Sequence, residues 1–165
     1  VVKLPPNKPG NFAYGLKITG ANLKAVSPKS PVIKPAADGS LSLTPGTAGT
    51  HGNIRSEERN GQTNLGYWDN GSDYVEWRVN FSRAGRYGIS ASAATQESGI
   101  AVVLEADGAH LRADVTKTAS YDEYAPLEFG TLEVKAPGLQ IIRIRPASPQ
   151  AWKAINLRAV MLRPE

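Results

Sequence analysis

The sequence predicts an all-β chain folded as an antiparallel β-sandwich of the jelly-roll kind. Three observations carry that prediction. Apolar and polar residues alternate with period two in many short runs, the pattern of a strand with one buried face. Turn residues separate these runs at regular intervals, as sandwiches require. No stretch shows helical periodicity, and 16 glycines and 12 prolines among 165 residues leave little room for a long helix.

Residues 1–35 read as a Pro- and Lys-rich leader or interdomain linker, in which only Phe12 to Ile18 alternates like a strand. Residues 36–165 read as the sandwich. Ala37-Asp38-Gly39-Ser40 is turn chemistry, and Leu41 to Thr44 begins the alternation. The strongest run is Tyr74 to Phe81, with Val75, Trp77, Val79 and Phe81 on the inward face and Glu76, Arg78 and Asn80 opposite. Ser82 to Gly85 turns the chain, and Tyr87, Ile89, Ala91 and Ala93 form the next inward face. Ile100–Glu105 and Leu111–Val115 flank Asp107-Gly108, a hairpin signal. Leu127–Val134 and Leu139–Ile144, joined through Pro137-Gly138, are expected to pair. Ile155–Leu162 supplies a single closing strand.

Composition removes several classes of function. The formal net charge is +4, yet six lysines precede the first acid, Asp38, so the leader carries +6 and the remainder −2. Cations spread along a Pro-rich segment do not make a nucleic-acid surface, so no nucleic-acid partner is expected. No apolar run approaches the ~20 residues of a membrane helix, so no membrane partner is expected. Absence of cysteine excludes disulfides, thiolate metal sites and cysteine nucleophiles. The start at Val1, without methionine, suggests a processed product or a piece of something longer. Nucleophile elbows, phosphate loops and dinucleotide fingerprints are all missing. His51 and His110 stand in no metal-ligand pattern, and Glu97, Asp114, Asp122 and Glu123 read as solvated loop acids rather than a catalytic pair.

What remains is a set of aromatic and polar residues placed between the expected strands. Tyr67, Trp68 and Asp69 lie in Leu65–Gly71, Tyr121 and Tyr124 in Thr118–Tyr124, and Trp152 just before Asn156. A sandwich gathers alternate loops at one end, so these segments can converge. Flat aromatic faces beside amides and carboxylates suit a sugar, whose C–H face stacks while its hydroxyls need directional partners.

The stretch Asn64-Leu65-Gly66-Tyr67-Trp68-Asp69-Asn70-Gly71-Ser72-Asp73-Tyr74-Val75-Glu76-Trp77 resembles the signature of carbohydrate-binding modules of the family 6/35 type. Ala84 to Tyr87 resembles that family's aromatic-capped turn. Thr118 to Tyr124 stands where the family has a Thr-Gly-x-Trp loop, and Ile155 to Val160 where it has a closing Asn-x-Asp strand. Within this likeness the order Gly-Tyr-Trp, Asp-Tyr-Val-x-Trp and a last strand over Asn156 to Leu162 is most similar to the C-terminal β-sandwich of bacterial α-L-fucosidases.

The resemblance implies a galactose-binding-like sandwich that binds carbohydrate without catalysis, secreted or periplasmic, joined covalently to a glycoside hydrolase. It gives Tyr67 the first clamp position, Tyr121 the second, and Asn156 the polar anchor. Trp68, Asp69, Tyr124 and Trp152 complete the expected ligand set. The family's structural calcium is held by acids on the first and last strands. Here those neighbourhoods offer Thr44-Pro45 and Arg158, so no metal site and no cofactor are assigned. Two other readings stay open: an accessory domain that only packs on a catalytic partner, and a free-standing hydrolase.

Overall fold

A computed structural model describes residues 30–165; the alternating segment Phe12–Ile18 lies outside them. The strands follow in chain order as β1 (Val32–Ile33), β2 (Leu41–Leu43), β3 (Gly49–His51), β4 (Arg55–Arg59), β5 (Gln62–Trp68), β6 (Tyr74–Phe81) and β7 (Gly85–Ala94). They continue as β8 (Ala101–Ala106), β9 (Ala109–Asp114), β10 (Ala125–Val134), β11 (Gly138–Pro146), β12 (Ile155–Leu157) and β13 (Val160–Pro164). One sheet runs β1-β6-β11-β8-β9, with β3 also on β6. The other runs β2-β13-β7-β12-β5-β4, with β10 also on β7. Among the described residues no helix is long and apolar enough to cross a membrane.

The two sheets face each other across one core, because each strand alternates as the sequence predicts. β6 buries Val75, Trp77, Val79 and Phe81 and leaves the residues between them half-exposed. The indole of Trp77 is fully buried, and its Nε1 donates to the Thr44 carbonyl at 2.9 Å. β8 and β9 form a two-residue hairpin on Asp107-Gly108, both with positive φ (48° and 79°). Those angles match the twist that strand pairs favour.

Three features differ from the sequence reading. β10 and β11 are not partners: β10 pairs with β7, β11 with β6 and β8, so the Pro137-Gly138 turn carries the chain between sheets. The closing strand is two, because β12 bridges β7 and β5 whereas β13 lies between β7 and β2. Val32–Ile33, inside the stretch read as leader, pairs in parallel with Arg78–Val79, an exception to the antiparallel rule.

Trp77 is fully buried in this core, so Trp77→Ala leaves a large cavity, while the Thr44 carbonyl keeps its bonds from Thr47. Urea unfolding should show a loss of about 3–5 kcal/mol; a loss below about 1 kcal/mol would place the packing centre elsewhere.

Candidate functional site

The site begins with a hairpin. β4 and β5 pair antiparallel from Arg59↔Gln62 to Arg55↔Gly66, closed by Asn60-Gly61 with φ of 52° and 71°. On one face of the hairpin stand Arg55, Glu57 and Arg59 from β4 and Asn64 and Gly66 from β5. Glu57 and Asn64 meet directly: Asn64 Nδ2 donates to Glu57 Oε1 at 2.9 Å, and Arg59 Nε donates to the same oxygen at 2.9 Å. Oε2 of Glu57 is left without a partner among the described residues, although its side chain is only 16% exposed.

β5 then breaks its own alternation. Leu65 pairs with Leu157 and Trp68 with Ile155, so three steps on β5 span two on β12. This is a β-bulge, and within it Tyr67 adopts φ 57°, a left-handed conformation that is uncommon for a side chain of this size. The extra residue reverses the parity of the strand end. Tyr67 is thrown outward, 57% exposed, and Trp68 is driven inward to full burial. Gly66 carries no side chain because any Cβ there would strike the Glu57 carboxylate and the Asn156 side chain. Asn156, at the centre of β12, thus faces the bulge.

Asn156 also holds the opposite wall. It is 5% exposed, and its Nδ2 donates to the Tyr121 carbonyl at 3.0 Å. The segment bearing Tyr121 is tied to the end of β7. Thr118 N donates to the Thr95 carbonyl (2.7 Å), Thr95 N to Thr118 Oγ1 (3.1 Å), and Thr118 Oγ1 to the Ser120 carbonyl (2.8 Å). Arg59 links the two walls, since Nη1 donates to Asp122 at 3.2 Å while Nε holds Glu57. Asp122 and then Glu57 push the Arg59 guanidinium further toward its charged form.

Tyr124 lies deeper in the same wall. The Arg158 guanidinium stacks 3.6 Å from its ring centroid. Its hydroxyl is buried beside Asn156 and Arg158, and neither meets it with hydrogen-bonding geometry. Burial lifts the phenol above its ordinary value of 10.0, against the opposing pull of Arg158.

From the expected set the structure gathers Tyr121, Tyr124 and Asn156, and sets Tyr67 beside Gly66, which Asn156 faces. Trp68 and Trp152 require correction. Trp68 donates Nε1 to the Asp73 carbonyl, and Trp152, 8% exposed, donates to the Trp68 carbonyl and packs on its ring at 5.4 Å. Both are core residues: the bulge turns Trp68 inward, and Trp152 packs against it. Asp69 is exposed just past the bulge. Arg55, Glu57, Arg59, Asn64 and Arg158 escape a sequence reading keyed to aromatic loops; the Asn60-Gly61 pair is the signal that would have exposed their hairpin.

The family's calcium does not fit the residues present. The Thr44 carbonyl is taken by Trp77 Nε1 and by Thr47 Oγ1, β2 and β13 meet through buried Leu41, Leu43 and Leu162, and Arg158 is itself a cation. Among the described residues no three acidic or histidine side chains gather as a metal would need.

Residues 46–159 match the family described as carbohydrate binding module (family 6). No curated protein sequence matches the chain. Among solved structures, the C-terminal family 6 module of the laminarinase LamC from Zobellia galactanivorans superposes with TM-score 0.63 at 19% identity, covering 75% of this chain and 98% of that one. A family 6 module of Cellvibrio mixtus lichenase 5A, in complex with cellotriose, superposes with TM-score 0.61 at 18% identity over 75% and 96%. The GH26-CBM35 β-(1,4)-mannanase of Podospora anserina gives 0.62 at 15% identity, covering 78% of this chain and 28% of that one.

Because the Tyr124 hydroxyl is buried unmatched, Tyr124→Phe should leave stability unchanged or raise it by up to about 1 kcal/mol at neutral pH. The raised phenol keeps its proton in the folded state when the unfolded chain has lost it. Stability is therefore full below about pH 10 and falls above it. Denaturation across that range should show a shallower alkaline fall in Tyr124→Phe. A large loss at neutral pH would mean that the hydroxyl is bonded.

Proposed function

We propose that this chain, which belongs to family 6 of the carbohydrate-binding modules, binds its sugar in the cleft between Tyr67 and Tyr121. The observation that carries this reading is the bulge: it holds Tyr67 in a strained conformation and 57% exposed. Strain of this kind persists where the surrounding structure enforces it, and it clusters at functional sites. A sugar ring stacks its C–H face on Tyr67, with Tyr121 as the facing wall. Glu57 Oε2 accepts from hydroxyls at the floor. Asn156, with Nδ2 committed to Tyr121, offers Oδ1 beside Gly66. Two phenol rings and a few hydroxyl contacts bury little area, so single-site binding is weak.

On this reading the module is non-catalytic, as its family is, and serves a covalently linked glycoside hydrolase that is secreted or periplasmic. The likeness to modules of a laminarinase and a mannanase supports a hydrolase host. The sequence order over residues 64–77 and 156–162 supports an α-L-fucosidase in particular. A second reading, a module that packs on its host without binding sugar, is favoured by one observation. Val32, Leu139 and Ile141 are exposed large apolar residues that share the outer face of the β6–β11 sheet.

Tyr67→Gly separates the readings. Glycine relieves the left-handed strain, so thermal melts should hold or rise by about 1 kcal/mol in stability. Calorimetric titration with the best hit of a glycan array should meanwhile lose about 1–3 kcal/mol of binding, and Tyr121→Ala should lose a similar amount. Normal binding in both variants would move the site away from this cleft.

A further inference from the structure

We propose that the ligand of this cleft carries an anionic substituent, held by Arg55; the inference rests on the cleft reading above. The cleft face of β4 presents three charges in alternation, Arg55, Glu57 and Arg59. Arg59 is neutralised twice over, by Glu57 at 2.9 Å and Asp122 at 3.2 Å. Arg158 lies flat on the Tyr124 ring, with its Nε buried and unmatched, so it serves the wall rather than the opening. Arg55 differs from both. It is exposed, it makes no ion pair with a carboxylate among the described residues, and its guanidinium sits 5.1 Å from the centroid of Tyr67.

That position decides what the guanidinium can do. The Arg55 guanidinium stands over the Tyr67 ring, so a sugar that stacks on that face moves it to the ring edge, where its fork meets the sugar's substituents. A neutral sugar would partly desolvate this cation and return only hydroxyl contacts. A carboxylate or sulfate returns two parallel charge-assisted hydrogen bonds, the geometry for which guanidinium is suited. Glu57 fixes the orientation. Its carboxylate repels an anion at the floor and accepts hydroxyls there, so the charged substituent points outward to Arg55 and the hydroxyl edge points down. The cleft is thereby polarised across one sugar ring, acceptor at the floor and cation at the rim.

The test is calorimetric titration of the whole chain with methyl glycosides of glucose, galactose and mannose, their uronic-acid counterparts and their 6-sulfates. In the best-bound series the charged member should bind about tenfold more tightly than its neutral parent at about 0.01 M salt, and the gap should narrow at about 0.1 M. Arg55→Gln should bring that ratio close to one, and Arg55→Lys should keep part of it. The relative affinity of uronide and sulfate then identifies which anion the site takes. Equal binding of charged and neutral sugars, or a preference that survives Arg55→Gln, overturns the inference. If Tyr121→Ala still weakens binding in that case, the cleft stands and only the anionic preference falls. If Tyr121→Ala changes nothing, the cleft reading fails and the inference with it.

Discussion

One extra residue in β5 organises this end of the sandwich. A regular strand would continue from inward Leu65 to inward Tyr67 and outward Trp68. The bulge against β12 exchanges them, so the larger and more apolar indole fills the core while the phenol stands free. Everything nearby depends on that exchange. Trp68 buries its N–H on the Asp73 carbonyl, offers its own carbonyl to Trp152, and so closes the core beneath the cleft. The left-handed backbone of Tyr67 is sustained because the buried indole one residue later holds the strand end in place.

The second wall is built by different means. The segment from Lys117 to Tyr124 has no regular structure and no buried apolar anchor of its own beyond the half-buried Tyr124 ring. It is positioned by polar contacts from three strands: Thr95 at the end of β7, Asn156 on β12 and Arg59 on β4. The buried bonds to Thr95 and Asn156 are directional and shielded from water. The exposed Arg59–Asp122 pair adds little energy but spans the opening. A rigid wall set by a bulge thus faces a wall tethered by hydrogen bonds.

The legible parts of the sequence were those where one physical signal acts alone. Strict alternation fixed β6, and alternation with Asp107-Gly108 fixed the β8–β9 hairpin. β4 was hidden because its cleft face is Arg55, Glu57 and Arg59, which reads as a solvated charge run, although Asn60-Gly61 marks its turn. The fate of Trp68 and Trp152 was hidden for a subtler reason. A bulge shifts the inward set by one residue, and tyrosine carries no propensity for the left-handed conformation that would announce it. The resemblance to the family singled out Tyr67, Tyr121 and Asn156; in the structure Asn156 holds the Tyr121 carbonyl and faces Gly66, next to Tyr67. It gave no access to Glu57, Arg55 or Asn64, which the pairing of β4 with β5 sets on one face of a polar hairpin.

The central claim is that the bulge makes the binding surface. A crystal structure of the module with a bound oligosaccharide tests it most directly. The account predicts a sugar ring stacked on Tyr67 and facing Tyr121, with a hydroxyl within about 3 Å of Glu57 Oε2. A sugar seated instead on the outer face of the other sheet, around Tyr74 and His51, with Tyr67 left bare, would contradict it.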